Sequence, residues 1–119
     1  MMGSLNMSGG LSLSLLGGEV EVSGSRRSVD FVGCQFVRAQ YQGLTALASM
    51  RIDVSADGGA SWVPLVPLGP TLVVDVPALT PWVELPDELQ KAGDLLVRAV
   101  AVGTPLLGLT LSNVELQYR

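Results

Sequence analysis

The chain is 119 residues long, carries a net charge of −4, and has one cysteine and no histidine. That length makes one domain, able to bury about two-thirds of the surface its unfolded chain exposes. The composition excludes Ser-His-Asp and Cys-His catalysis, the usual zinc ligand sets, an internal disulfide framework, and the dense basic footprint that nucleic-acid or membrane-surface binding needs.

Residues 1–10 are rich in Ser, Gly and Met, the composition of a flexible N-terminal arm. A single β-sandwich domain is expected over residues 11–119. An arm of this kind can instead order on a neighbouring subunit, which makes Leu5, Met7, Leu11 and Leu13 candidate partner contacts. No signal peptide is read: there is no basic n-region, and LSLSLL alternates where a signal core is continuously apolar. Leu11, Leu13 and Leu15 alternate with Ser12 and Ser14 as a first strand. Gly17-Gly18 interrupts it and Glu19 to Val22 alternates again, so this stretch reads as a hairpin or one bent strand. A loop follows over residues 23–28. Its Arg26-Arg27, the only basic pair, is a second candidate partner contact. Strands are expected at 29–32 and 35–41. In the second, Phe36, Arg38 and Gln40 share one face and Val37, Ala39 and Tyr41 the other. Cys34, within FVGCQFV, reads as a small buried hydrophobe.

Residues 50–65, MRIDVSADGGASWVPL, carry the clearest local signal. Met50, Ile52 and Val54 alternate with Arg51, Asp53 and Ser55, the period of a half-buried strand. Asp57-Gly58-Gly59 supplies residues that tolerate positive φ in a tight turn, and Trp62, Val63 and Leu65 begin the return strand. Prolines 64, 67 and 70 make 63–68 an edge strand or an extended crossing. A central strand is expected at 72–76, a short extended piece at 81–85 with Trp82, and one or two helical turns over 86–93. The helix has Asp87 and Glu88 at its start, Lys91 near its end and Gly93 just after. A strong strand over 95–102 separates Leu95, Val97, Ala99 and Ala101 from Leu96, Arg98, Val100 and Val102. Gly103-Thr104-Pro105 is a turn, and strands at 109–111 and 114–118 close the chain. The apolar run 95–109 is broken by Arg98, Gly103, Pro105 and Gly108 and is too short to span a bilayer as a helix. Frequent turn signals between short alternating strands specify an all-β antiparallel sandwich, and a jelly roll fits the strand count best.

Chemistry is sparse. One Lys and one Cys leave few nucleophiles, and turn or surface roles account for each carboxylate, so no enzymatic activity and no cofactor are expected. Asp53, Asp57 and Asp94 lack the ligand spacing of a calcium loop. Arg51 and Arg98 lie in apolar strands, where each either faces solvent and pairs with a carboxylate such as Asp53 or Glu115, or marks a subunit interface. Phe31, Phe36, Trp62 and Trp82 read as core residues. Tyr41 and Tyr118 remain candidates for a sugar platform, the basis of an alternative reading as a carbohydrate-binding or adhesin module.

Residues 55–62 match S-x-D-x-G-x-[ST]-W and so resemble the Asp-box of sialidase-like propellers. That resemblance implies a structural turn: Asp57 braces backbone N–H groups together with Ser55 and Gly59, and Trp62 anchors the hairpin. The Ser/Gly arm, the strands FVRAQYQG and MRIDVSADGGASWVPL, LLVRAVAVG and the terminal VELQYR resemble the small β-sandwich decoration, or cement, proteins of tailed bacteriophage heads. The resemblance implies a non-enzymatic homodimer or trimer on the capsid exterior that clamps neighbouring major capsid proteins against internal DNA pressure. It implies neither a nucleic-acid partner nor a membrane one.

Overall fold

Period-two alternation sorts most of this chain into strands. The structure, a computed structural model, describes residues 3–7, 11–15, 18–22, 24–43, 48–69, 76–103 and 106–119. In chain order the strands are β1 (Gly3–Asn6), β2 (Leu11–Leu15), β3 (Gly18–Glu21), β4 (Arg27–Val29), β5 (Phe36–Gly43) and β6 (Ala48–Ser55). They continue as β7 (Val63–Val66), β8 (Ala78–Leu79), β9 (Val83–Glu84), β10 (Leu95–Gly103) and β11 (Leu106–Tyr118), with helix α1 (Asp87–Lys91) before β10. Acidic residues in its first turn and Lys91 in its last complement the dipole of α1. Among the described residues, no helix is long and apolar enough to cross a membrane.

All pairings among the described residues are antiparallel. In the first sheet β11 is flanked on one side by β1 and β2 in a single row and on the other by β5, which in turn carries β8 and β9. In the second sheet β10 carries β3 and β4 on one side and β6 on the other, and β7 closes the edge. With collinear strands counted as one row, each sheet has four rows. In chain order these run first, eighth, third, sixth in one sheet and second, seventh, fourth, fifth in the other. This is a jelly roll, two interlocked Greek keys packed face to face.

The core lies between the sheets. Val37, Ala39, Tyr41, Val114 and Leu116 point in from the first sheet; Met50, Ile52, Val54, Val97, Ala99 and Ala101 point in from the second. Phe31, Cys34 and Leu85 join the core from loops. Each large apolar side chain buried here contributes about 1.5–3 kcal/mol. Buried polar groups are mostly answered. Ser25 Oγ accepts from the Ala99 N–H at 3.1 Å, and Thr80 Oγ1 accepts from the Ala39 N–H at 2.9 Å. Among the described residues the exception is the Tyr41 hydroxyl, which is buried without a hydrogen-bond partner. Burial, and then the charge of Asp53, push its pKa well above the usual phenol value. Gly69 makes room for that ring: a Cβ there would stand 3.0 Å from Tyr41 Cε2 and 2.9 Å from Thr80 Cγ2.

Several expectations change. Residues 1–10 are not an arm throughout. Gly3–Asn6 pairs with β11 from Gly3↔Tyr118 to Asn6↔Glu115, the Met7 N–H donates to the Val114 carbonyl at 2.7 Å, and Met7 is fully buried. Composition concealed the alternation of Leu5 and Met7 with Ser4 and Asn6, and that alternation makes this segment a strand. Residues 1–2 and 8–10 lie outside the described residues. The stretch 11–22 is not a hairpin: β2 joins the first sheet and β3 the second. The expected loop at 23–28 ends in β4, while the expected strand at 29–32 stops at Val29 and turns at Val32-Gly33. Two terminal strands prove to be one, β11, with a register shift between Leu111 and Asn113. Residues 72–75 of the expected central strand, and Thr104-Pro105 of the expected turn, lie outside the described residues.

Candidate functional site

The turn between β6 and β7 is closed by its own side chains. Ser55 Oγ donates to Asp57 Oδ1 at 2.6 Å and accepts from the Gly59 N–H at 2.9 Å. The Ser61 N–H reaches Asp57 Oδ1 at 2.9 Å, and the Ser61 hydroxyl reaches Oδ2 at 2.6 Å. Gly58 and Gly59 take φ of 74° and 98°, where a side chain would be strained. Hydrogen bonds from Ser55 and then Ser61 hold the Asp57 carboxyl well below the usual carboxylate range. All of this carboxylate's described bonds serve the turn. Trp62, expected in the core, is instead half-buried on the outer side of the second sheet. The guanidinium carbons of Arg98 and Arg26 lie 4.4 and 5.2 Å from its ring centroid.

The outer face of the second sheet carries an ion-pair network around those arginines. Asp53 is only 1 % exposed although it points away from the core, because two arginines cover it. Arg51 Nε donates to Asp53 Oδ1 at 2.7 Å and Arg98 Nε to Oδ2 at 3.0 Å. Arg51 also reaches Glu19 at 2.6 Å, and that bond holds Glu19 below the usual carboxylate range. Arg26 pairs with Glu21 through two bonds of 2.6 and 3.1 Å. The strand register makes this possible: Asp53 stands opposite Arg98, and Arg51 opposite Val100, which in turn pairs with Glu21. Glu115, the other partner considered for these arginines, lies in the opposite sheet. A doubly bridged carboxylate with this little exposure locks two strands together, and removing it would strip Arg98 of its ion pair with Asp53 and leave Arg51 with Glu19.

The outer face of the first sheet is a polar ladder. Ser4, Gln117 and Arg38 stand side by side across three rows, as do Asn6, Glu115 and Gln40. Arg38 Nε donates to Gln117 Oε1 at 2.6 Å, while Gln117 Nε2 donates to Gln40 Oε1 at 3.3 Å and to Glu115 Oε1 at 3.2 Å. Trp82 lies at the edge of this face with the guanidinium carbons of Arg38 and Arg119 at 4.4 and 4.2 Å from its centroid. A groove of about 380 Å³ opens beside it, lined by Gly3, Ser4, Arg38, Trp82, Glu115, Gln117 and Tyr118.

The aromatic assignments therefore largely reverse. Tyr41 is core, and Phe36, Trp62 and Trp82 are half-buried. Phe36 shares its outward parity with Arg38, a clue that alternation already held. Tyr118 meets Phe31 edge-on at 5.6 Å while also lining the groove. Of the candidate partner contacts, Met7 is lost to the core and Leu5 is half-buried against it. Leu11 and Leu13 pair by backbone with Leu111 and Leu109, and their side chains lie outside the described residues. Arg26 is ion-paired, and Arg27 is exposed on β4. Sequence reasoning missed the groove because it joins β1, β5 and β11 with Trp82, which lies just before β9 and carries no motif.

No family model matches the chain, and no curated protein does. Among solved structures, a chain from the structure of the infectious bursal disease virus Gx strain matches with a TM-score of 0.54 at 8% identity. The match covers 99% of this chain and 31% of that one. What the two share is the fold. This chain thus spans about a third of its neighbour's length, as one jelly-roll unit.

Proposed function

We propose that this chain is a structural, non-enzymatic virion protein that decorates the exterior of a tailed-phage capsid and bridges its major capsid proteins as a homodimer or trimer. The observation that carries this reading is the jelly-roll topology, matched over 99% of the chain by a chain taken from a virus structure. The side chains support it in two ways. The described carboxylates with the most contacts, Asp53 and Asp57, are committed to ion pairs and turn closure. Large apolar side chains also stand exposed on or beside the edge rows, with Val63 on β7 and Leu79 on β8 about half exposed or more. Unpaired, apolar strand edges are surfaces that a second subunit or a lattice partner covers.

The test is to mix the purified protein with assembled, undecorated capsids built from the major capsid protein encoded beside it. Cosedimentation at a fixed ratio per capsid subunit is the expected result. A protein that stays monomeric and remains in the supernatant overturns the proposal.

A further inference from the structure

The two tryptophans sit in matched settings that are finished differently. The arginines over Trp62 are both neutralised, Arg26 by Glu21 and Arg98 by Asp53. The arginines over Trp82 are not: among the described residues, neither Arg38 nor Arg119 stands within ion-pair distance of a carboxylate. Arg38 commits only its Nε–H, to Gln117, out of the five donors of a guanidinium. Arg38 lines the groove, whose volume of about 380 Å³ is in the range of small-ligand sites.

We propose that this groove is a binding site for a carboxylate-bearing sugar, of the uronate or sialate class. The free guanidinium edge of Arg38 takes the ligand carboxylate, the pairing for which its planar fork is suited. Glu115, whose Oε1 accepts from Gln117, adds carboxylate acceptor capacity for sugar hydroxyls to the groove wall. The same carboxylate disfavours an acidic peptide, which would bring a second anion beside it without hydroxyls to donate. Trp82 and Tyr118 supply apolar ring surface on the groove wall. The polar groups are also held before any ligand arrives. Gln117 accepts from Arg38 and donates to Gln40 and Glu115, so one amide fixes the cation and the anion relative to each other. The site does not depend on the capsid reading, because it is complete within one copy of the chain.

The test is an array of oligosaccharides ending in uronate, sialate or neutral sugars, probed with the wild type, Arg38→Gln, Arg38→Lys and Trp82→Ala. The wild type is expected to bind acid-terminated glycans at least tenfold more strongly than neutral ones. Arg38→Gln should weaken that signal at least tenfold, with Arg38→Lys restoring part of it. Circular dichroism and melting curves that match wild type establish that the variants are folded. If Trp82→Ala is unfolded, the two Arg38 variants decide. Absence of binding to any glycan, equal binding to neutral glycans, or a signal unchanged in Arg38→Gln overturns the proposal. Binding of a hexaglutamate peptide with no glycan bound overturns it too, and makes the groove a protein-docking surface instead.

Discussion

Met7→Ala separates a docked first strand from a mobile arm. Met7 is completely buried beside the end of β1, and its backbone N–H is bonded to Val114 on the central strand β11. Truncation to Ala removes three heavy atoms from the core. At about 0.8 kcal/mol per methylene-sized group the transfer loss is roughly 2.4 kcal/mol. The cavity left behind adds to this, which places the expected loss near 3 kcal/mol, inside the ~2–5 kcal/mol range for Met→Ala in cores. For a domain of this size that is roughly a 12 °C fall in Tm. Urea unfolding followed by tryptophan fluorescence measures it, with the midpoint expected to fall and the m-value to stay fixed. Ser4→Ala, on the exposed side of the same strand, is the control and should stay within about 0.5 kcal/mol of wild type. A Met7→Ala loss no larger than the Ser4→Ala control would refute the docking of β1 and return residues 3–7 to an arm.

Two more outcomes follow from the described polar groups. Tyr41→Phe should leave stability unchanged or raise it by up to ~1 kcal/mol, because it deletes a buried hydroxyl without a partner among the described residues; a loss above ~1 kcal/mol in denaturant melts would show that the hydroxyl is bonded. Asp57 has a lowered pKa in the folded state, so the stability it contributes is fully present above the ordinary carboxylate range, near pH 4, and is lost as pH falls toward its folded pKa. Asp57→Asn should therefore flatten the acid side of the Tm-against-pH curve, and a variant with a curve as steep as wild type there would contradict the turn geometry.

Strands with strict alternation were legible in advance, and the faces of β5, β6 and β10 follow directly from it. The Met50 hairpin was legible because Asp57-Gly58-Gly59 both stops one strand and permits the turn. What alternation leaves open is which strand pairs with which. The stretch 11–22 looks locally like a hairpin, yet its halves belong to different sheets, and nothing local distinguishes a tight turn from a crossing between layers. Composition misled at residues 3–7, where small polar residues belong to an edge row whose outer side meets solvent. It misleads again at Trp62 and Trp82: size and apolarity point such rings to the core, but arginine side chains lying over both let them rest half-buried on outer faces. The groove was invisible because its residues lie far apart along the chain and share no spacing.

The position of β11 bears on how the molecule is made. The last strand of the chain is the inner strand of its sheet and holds β1, β2 and β5. During synthesis the earlier strands of that sheet must wait, with unsatisfied edges, until residues 106–118 leave the ribosome. Pairing of first and last strands also makes the contacts distant in sequence, a pattern that slows folding relative to locally connected proteins. The interval between emergence of β1 and arrival of β11 is the period when the chain is most exposed to mispairing with other nascent copies. A nascent chain stalled before residue 106 should therefore be sensitive to protease across β1, β2 and β5, and should acquire resistance there only after the final strand is released.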